Sequence, residues 1–417
     1  MGKYLDHVPF SGIIRIRDMM YSVKDPFRLD QGDVSFDAPD SVKSAMHRAI
    51  DANHSHYVQT TGLPKLLELL AAKLRATNGI PVGSPDEVMV TTGGIHALYI
   101  VCQALLEPGD EVIVPDPEWP PAAGNVLAAQ GRTVPCPLHE ELGWRYDFRE
   151  LEAAITPRTK AIYVNSPHNP TGGVLTREDL ETIAALARER DLWIISDEAY
   201  EDVIYDGATH VSAASMPGMY ARTIPVYTFS KSYAMTGLRL GYFAAQDAKL
   251  RERMKKVLFY TASNVTSIVQ HGGIGGLEGP QDNIERFRLE LQARRDLFYA
   301  GIGAQASGVL SGEPPAGAFY AFLRIDPAWA REALSGSSVS WAMAEHLIAR
   351  GRIGCVPGVD FGAHGEGYIR FCFARDRAEL TGALQSMGEL FAASRLTASR
   401  TLPGAPAGAP GSSGGPG

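Results

Sequence analysis

Two hydrophobic rhythms alternate along the chain. Short apolar runs, rich in β-branched and aromatic residues, occupy 87–92 (EVMVTT), 111–116 (EVIVPD), 161–166 (AIYVNS), 192–197 (LWIISD), 224–230 (IPVYTFS) and 241–245 (GYFAA). Longer stretches at 96–107, 177–190 and 248–260 carry apolar residues at helical spacing. Strands alternating with helices predict an α/β fold. Its core is a three-layer, mostly parallel sheet, because each parallel connection must cross back over a face and clothe it. Thr176 precedes the helix at 177–190 as an N-cap, with Asp179 in the first turn.

Near residue 285 the pattern changes. An amphipathic stretch at 283–302 leads into apolar runs at 317–325, 353–358 and 368–374, with a helical run at 340–351. This predicts a large domain over 41–285 and a smaller α+β domain over 286–396, with residues 1–40 packing against the latter. Residues 397–417 hold ten Gly or Pro, no aromatic residue and one large aliphatic, Leu402. Such a segment buries too little to offset its ordering entropy, so a disordered tail is expected.

Composition narrows the classes. Of 417 residues, 45% are hydrophobic and 21% charged, and the formal net charge is −8. The acidic balance argues against a nucleic-acid or anionic-membrane binder, which needs a basic face. No apolar run approaches the roughly 18 residues of a membrane span, and the first twelve residues lack the apolar core of a signal peptide. Cys102, Cys136, Cys355 and Cys372 form no CxxC or Cys/His ligand spacing. No disulfide framework or metal site is expected, and four scattered thiols suit a cytoplasmic location.

In open α/β sheets, ligands bind beyond the carboxyl ends of the strands. After 87–92 come Gly93, Gly94 and Ile95, where backbone N–H groups at a helix start can approach an anion. After 111–116 comes Trp119 on a proline-stiffened loop, a flat face for stacking. After 161–166 comes a Pro/Asn/Gly loop carrying Asn169. The strand at 192–197 ends in Asp197, with Tyr200 three residues on. The strand at 224–230 ends in Ser230 and Lys231, and Arg239 follows. A lysine partly withdrawn from water has a lowered pKa and can condense with a carbonyl, while arginine suits a phosphate. Each feature alone also reads as a plain turn, a half-buried Trp, a helix cap or a solvated cation. Five such strand ends together are hard to dismiss.

The segment at 230–241 (SKSYAMTGLRLG) resembles the lysine signature of class I/II aminotransferases, pyridoxal-phosphate enzymes of fold type I, the aspartate aminotransferase fold. The blocks at 165–173 (NSPHNPTGG), 196–200 (SDEAY), 92–94 (TGG) and 368–374 (YIRFCFA) match in order, and the likeness spans about residues 10–395. It implies that Lys231 binds pyridoxal 5′-phosphate as a Schiff base and, once displaced, shuttles a proton. Asp197 would pair with the pyridine nitrogen, and Asn169 and Tyr200 with the phenolic oxygen. Trp119 would stack on the ring and also meet substrate, as would Asn169. Gly93, Gly94 and Ile95 backbones, with Ser230 and Arg239, would hold the phosphate. Arg370 would grip the substrate α-carboxylate, with Gly32 close by. Ile13, Ile14 and Ile16 resemble the segment that closes over substrate, and Ile14 is its expected contact. Tyr57 would reach the other subunit's phosphate, which implies a homodimer with interfacial sites.

Two positions depart from the pattern. Leu67 stands where arginine is common, implying a changed ion pair on a helix surface. Ile95 stands where aspartate-specific members often carry a lysine for the second carboxylate, so a neutral or aromatic donor is expected. The implied reaction is ping-pong transfer of the amino group of an L-amino acid to a 2-oxo acid. A C–S β-lyase, or another α,β-eliminating enzyme of the same fold, is the alternative. A regulator's ligand-sensing domain would carry a further DNA-binding domain before these blocks.

Overall fold

The computed structural model of the chain describes residues 6, 8 and 10–400. Eight strands form the larger sheet: β1 (Val88–Thr91), β2 (Glu111–Asp116), β3 (Arg132–His139), β4 (Arg145–Tyr146), β5 (Thr159–Asn165), β6 (Trp193–Asp197), β7 (Thr223–Thr228) and β8 (Gly241–Ala244). Their order is β1-β8-β7-β6-β5-β2-β3-β4. β3, β2, β5, β6 and β7 run parallel, whereas β8 is antiparallel to both β7 and β1. A second, antiparallel sheet in the order β11-β12-β10-β9 holds β9 (Leu310–Ser311), β10 (Tyr320–Ile325), β11 (Val356–Pro357) and β12 (Tyr368–Cys372).

The helices before the second sheet are α1 (Gly12–Tyr21), α2 (Asp40–Asp51), α3 (Pro64–Ala76), α4 (Gly93–Leu105), α5 (Pro120–Ala128), α6 (Phe148–Ala153), α7 (Arg177–Glu189), the single turn α8 (Phe229–Ser232), α9 (Ala248–Ala262) and α10 (Ser267–Glu278). Then come α11 (Asp282–Gln305), α12 (Pro327–Ala333), α13 (Val339–Gly351) and α14 (Arg377–Arg400).

Alternation along the strands builds the three layers. Val112 and Val114 of β2 pack with α4, α5 and α9, while Ile113 between them packs with α6 and α7. At the other end of the sheet, Val88 and Val90 of β1 pack with α3. Both faces are therefore dry, as the continuous apolar runs require. The second sheet has its own core, which also takes Ile16, Met20 and Leu29 from the N-terminal segment.

Thr176 caps α7 in a full capping box with Asp179, as expected. Several expectations change. The strand expected to run to residue 230 stops at Thr228, because the Thr228 hydroxyl accepts from Ser230 N and starts α8, so Lys231 stands on a helical turn. β3 went unread because Pro135 and Pro137 interrupt it. It tolerates them because β4 pairs only with Leu138 and His139, leaving the proline positions on a free edge. Leu67 is buried in the α3 core, not on a helix surface as its expected ion-pair role required. α14 runs to Arg400, and the rest of the expected tail lies outside the described residues.

Candidate active site

A cavity of about 290 Å³ opens at the carboxyl ends of the parallel strands. At one end stands the start of α4. Gly93 adopts φ +77°, and a β-carbon there would lie 2.5 Å from the Arg239 guanidinium. A β-carbon on Gly241 would meet Gly93 carbonyl carbon at 2.6 Å and Gly94 N at 2.8 Å. These glycines let β8 and Arg239 close onto the first turn of α4, whose N–H groups have no intrahelical acceptors. Gly94, Ile95, Thr228, Ser230 and Arg239 line this end. The N–H groups of this first turn, a helix dipole, a hydroxyl and a guanidinium make an anion cradle.

Lys231 Nζ donates to Gly32 O at 2.6 Å and lies 5.2 Å from the Phe319 ring centre and 5.7 Å from that of Tyr200. Burial lowers its pKa to about 8; Asp33 opposes the shift, and Arg239 and Arg370 add to it. Asp197, at the end of β6, is buried and accepts from Tyr163 Oη at 2.9 Å and Ala199 N at 3.1 Å. Burial raises its pKa to about 7; the Tyr163 bond works against this, and the Glu118 charge with it.

Arg370 projects from β12 and is 1% exposed. It donates through one terminal nitrogen to Asn169 Oδ1 at 3.0 Å and through the other to Asp30 O at 2.9 Å. The guanidinium lies 4.4 Å from the Tyr320 ring centre and 4.9 Å from that of Phe361, and its buried Nε has no partner among the described residues. Tyr200 Oη and Tyr320 Oη share a hydrogen bond at 2.8 Å. Trp119 ends the loop after β2 and N-caps α5. Its loop is held by buried Glu118, which accepts from Trp119 N at 2.7 Å and Asn165 Nδ2 at 2.8 Å and meets His168 Nε2 at 3.2 Å.

The cavity thus gathers Gly32, Gly94, Ile95, Trp119, Asn169, Asp197, Tyr200, Ser230, Lys231, Arg239 and Arg370. Gly93 lies behind it, under Arg239. Tyr57 is 88% exposed and does not line it. Ile14 does not line it either. Successive helical residues point about 100° apart, so Ile13 of α1 takes the cavity wall and Ile14 faces a neighbouring groove of about 610 Å³ beyond Trp119. Sequence reasoning missed Tyr163, Tyr320, Glu118 and Asn165. The two tyrosines sit inside strands whose facing the sequence leaves open. Glu118 had a signal, a carboxylate beside Trp119 between two prolines.

A near-neutral amine, a buried carboxylate, an anion cradle and a buried guanidinium converge on one cavity. Comparisons with known proteins agree. The chain is 36% identical over 399 residues to "Aspartate aminotransferase" of Pyrococcus abyssi, covering 95% of this chain and 100% of that one. It is 34% identical to "Aromatic-amino-acid aminotransferase 2" of Thermococcus litoralis, covering 95% and 99%. The solved structure of the Thermus thermophilus aspartate aminotransferase with maleate superposes with a TM-score of 0.85 at 33% identity, covering 94% of this chain and 99% of that one. Residues 24–387 match the family described as "Aminotransferase class I and II". The chain belongs to that family, whose members use pyridoxal 5′-phosphate to move the amino group of an L-amino acid to a 2-oxo acid.

Proposed function

We propose that this aminotransferase takes neutral and aromatic L-amino acids as its preferred donors. One observation carries the reading: among the described residues, the cations lining the cavity are Lys231, Arg239 and Arg370, and each has a task. Arg239 stands at the anion cradle, Arg370 awaits an α-carboxylate and Lys231 is the reacting amine. None is left for a second carboxylate. The remaining wall is largely apolar and aromatic, from Ile13, Ile95, Trp119, Ala199 and Tyr320, with Asn165 and Thr228 its uncharged polar members.

The residues fit pyridoxal 5′-phosphate. Lys231 would hold it covalently, Asp197 would pair with its ring nitrogen, and Asn169 and Tyr200 with its phenolic oxygen. Trp119 would stack on the ring, and Gly93, Gly94, Ile95, Ser230 and Arg239 would hold the phosphate. Bound there, the cofactor supplies an electron sink for the carbanion left when the α-proton departs. Lys231 Nζ, as a free amine, would take up that proton and give it back, the proton-moving group of the site. The Arg370 fork fixes the α-carboxylate, and the unpartnered Nε supports a further bond to it. Asp197 would keep the ring nitrogen protonated. The two half-reactions use one cavity in turn, a ping-pong course.

The same reading includes a homodimer in which Tyr57 serves the neighbouring site, a large cofactor-binding domain over 41–285 and a smaller one over 286–396. It includes a cytoplasmic location, which four free, buried thiols support. No helix among the described residues is long and apolar enough to cross a membrane. The deciding experiment is a stopped-flow half-reaction panel over the twenty amino acids. Neutral and aromatic donors are expected to lead. Aspartate and glutamate outpacing all of them tenfold or more would overturn the donor assignment.

A further inference from the structure

Helix α1 begins with a residue poorly suited to helices. Glycine costs about 1 kcal/mol relative to alanine inside a helix, so Gly12 at the first position calls for another reason. The reason is contact: a β-carbon on Gly12 would overlap the Asp360 carboxylate. Asp360 lies on the short helical turn Gly358–Phe361, next to the second sheet. Its Oδ1 accepts from Trp341 Nε1 at 3.1 Å, and its Oδ2 is buried without a partner among the described residues, pressed toward the start of α1. Burial pushes this carboxyl up to about 6, and the Trp341 hydrogen bond and the Arg15 charge oppose the shift.

A second set of contacts reaches α1 from α13. The Arg15 guanidinium lies 3.9 Å from the Trp341 ring centre and pairs with Glu345 at 3.2 Å. Trp341 therefore touches both Asp360, which abuts Gly12, and Arg15, so these contacts hold α1 on either side of Ile13 and Ile14. The Ser11 hydroxyl caps the same turn at Ile13 N, at 3.3 Å. Ile13 itself packs on Phe322, Val356 and Phe361 and presents its other side to the cavity. Phe361 directly follows Asp360 and also underlies Arg370.

We propose that Asp360 and Trp341 form a seat for the first turn of α1, locked by Gly12, and that this seat sets donor selectivity by fixing Ile13 as a wall of the substrate side-chain pocket. Asp360 is a positioning residue and touches no reacting atom. The inference rests on the reading that Ile13 bounds the side-chain pocket.

The test uses holoenzyme carrying Gly12→Ala, Asp360→Asn or Ile13→Ala, with phenylalanine and alanine as donors. Gly12→Ala is expected to lower kcat/KM for phenylalanine about tenfold through KM and to change alanine less than twofold. It should also speed backbone hydrogen exchange across residues 12–21, with the melting temperature and the bound-cofactor absorbance preserved. Asp360→Asn keeps the Trp341 bond and should move the same readouts in the same direction by less. Gly12→Ala added to Ile13→Ala should change donor ranking no further. Unchanged ranking or exchange in Gly12→Ala, an equal loss for both donors, or full additivity with Ile13→Ala would each overturn the seat. Should the wild type prefer dicarboxylic donors, the donor assignment falls. The seat then stands or falls on whether Gly12→Ala and Ile13→Ala still shift ranking together.

Discussion

Lys231 and Asp197 are driven by one cause in opposite directions. Burial disfavours charge on both, lowering the lysine to about 8 and raising the acid to about 7. In protein freed of cofactor, the neutral amine that attacks an aldehyde therefore grows roughly tenfold per pH unit below about 8 and levels above it. The rate of pyridoxal phosphate uptake by the apoprotein, followed by absorbance, should trace that curve. A flat profile from pH 6 to 9 would contradict it. The stability signs also differ. A depressed lysine pKa makes the apoprotein gain stability as pH rises from about 8 toward the unfolded value of 10.5, where the unfolded chain binds the extra proton. A raised acid pKa makes it lose stability as pH rises from 3.8 to about 7. Asp197→Asn removes that loss, so urea unfolding above pH 7 should show an apoprotein as stable as wild type or more so, while the variant loaded with cofactor should be nearly inactive. Lys231→Ala should abolish the absorbance of covalently bound cofactor and cut turnover by about 10²–10⁴-fold or more, the usual span of a general acid–base contribution.

At the scale of elements, the site depends on how closely β8 approaches α4. Gly241 faces backbone on every side, with Tyr227 O at 2.9 Å beside the Gly93 and Gly94 contacts, so no flexible side chain can give way. Gly241→Ala should cost about 2 kcal/mol in urea unfolding and weaken cofactor affinity more than any substitution on the outer face of α9. Unchanged affinity would mean that the first turn of α4 does not hold the phosphate. This closeness was not legible in the sequence, where Gly241 ends the 230–241 segment and opens an apolar run with nothing to show that it packs on the start of α4. The strand ends were legible because each pairs an apolar run with a polar break, as Asp197, the last of four buried positions, illustrates. Tyr163 and Tyr320 were hidden because strand facing is decided by pairing, not by the run itself. The capping box of α7 needed only local pattern, and Thr176→Ala should cost it about 1 kcal/mol, read from the urea midpoint.

At the scale of the whole molecule, the unburied aromatic side chains are informative. Phe259 and Tyr260 end α9 at 51% and 84% exposure, their rings 5.3 Å apart. His96 Nε2 meets Thr261 Oγ1 at 2.9 Å, which sets this pair beside the start of α4 and the exposed Ile95 at the cavity mouth. Tyr57 lies on the connection from α2 to α3. The Ser267 hydroxyl holds His54 O there, and the His54 ring stacks on His271 at 4.4 Å. Burying such apolar area against a second copy is favourable at about 25 cal/mol per Å², and it would carry Tyr57 toward the neighbouring cavity. Tyr260→Asp would place an unpaired charge in the proposed dimer interface. Sedimentation should then show monomer at concentrations where the wild type is dimeric. Activity should fall with dilution in parallel, and Tyr57→Phe in the wild-type dimer should weaken cofactor binding without altering association. A wild type that sediments as a fully active monomer at every concentration would remove the shared site, and with it the role of Tyr57.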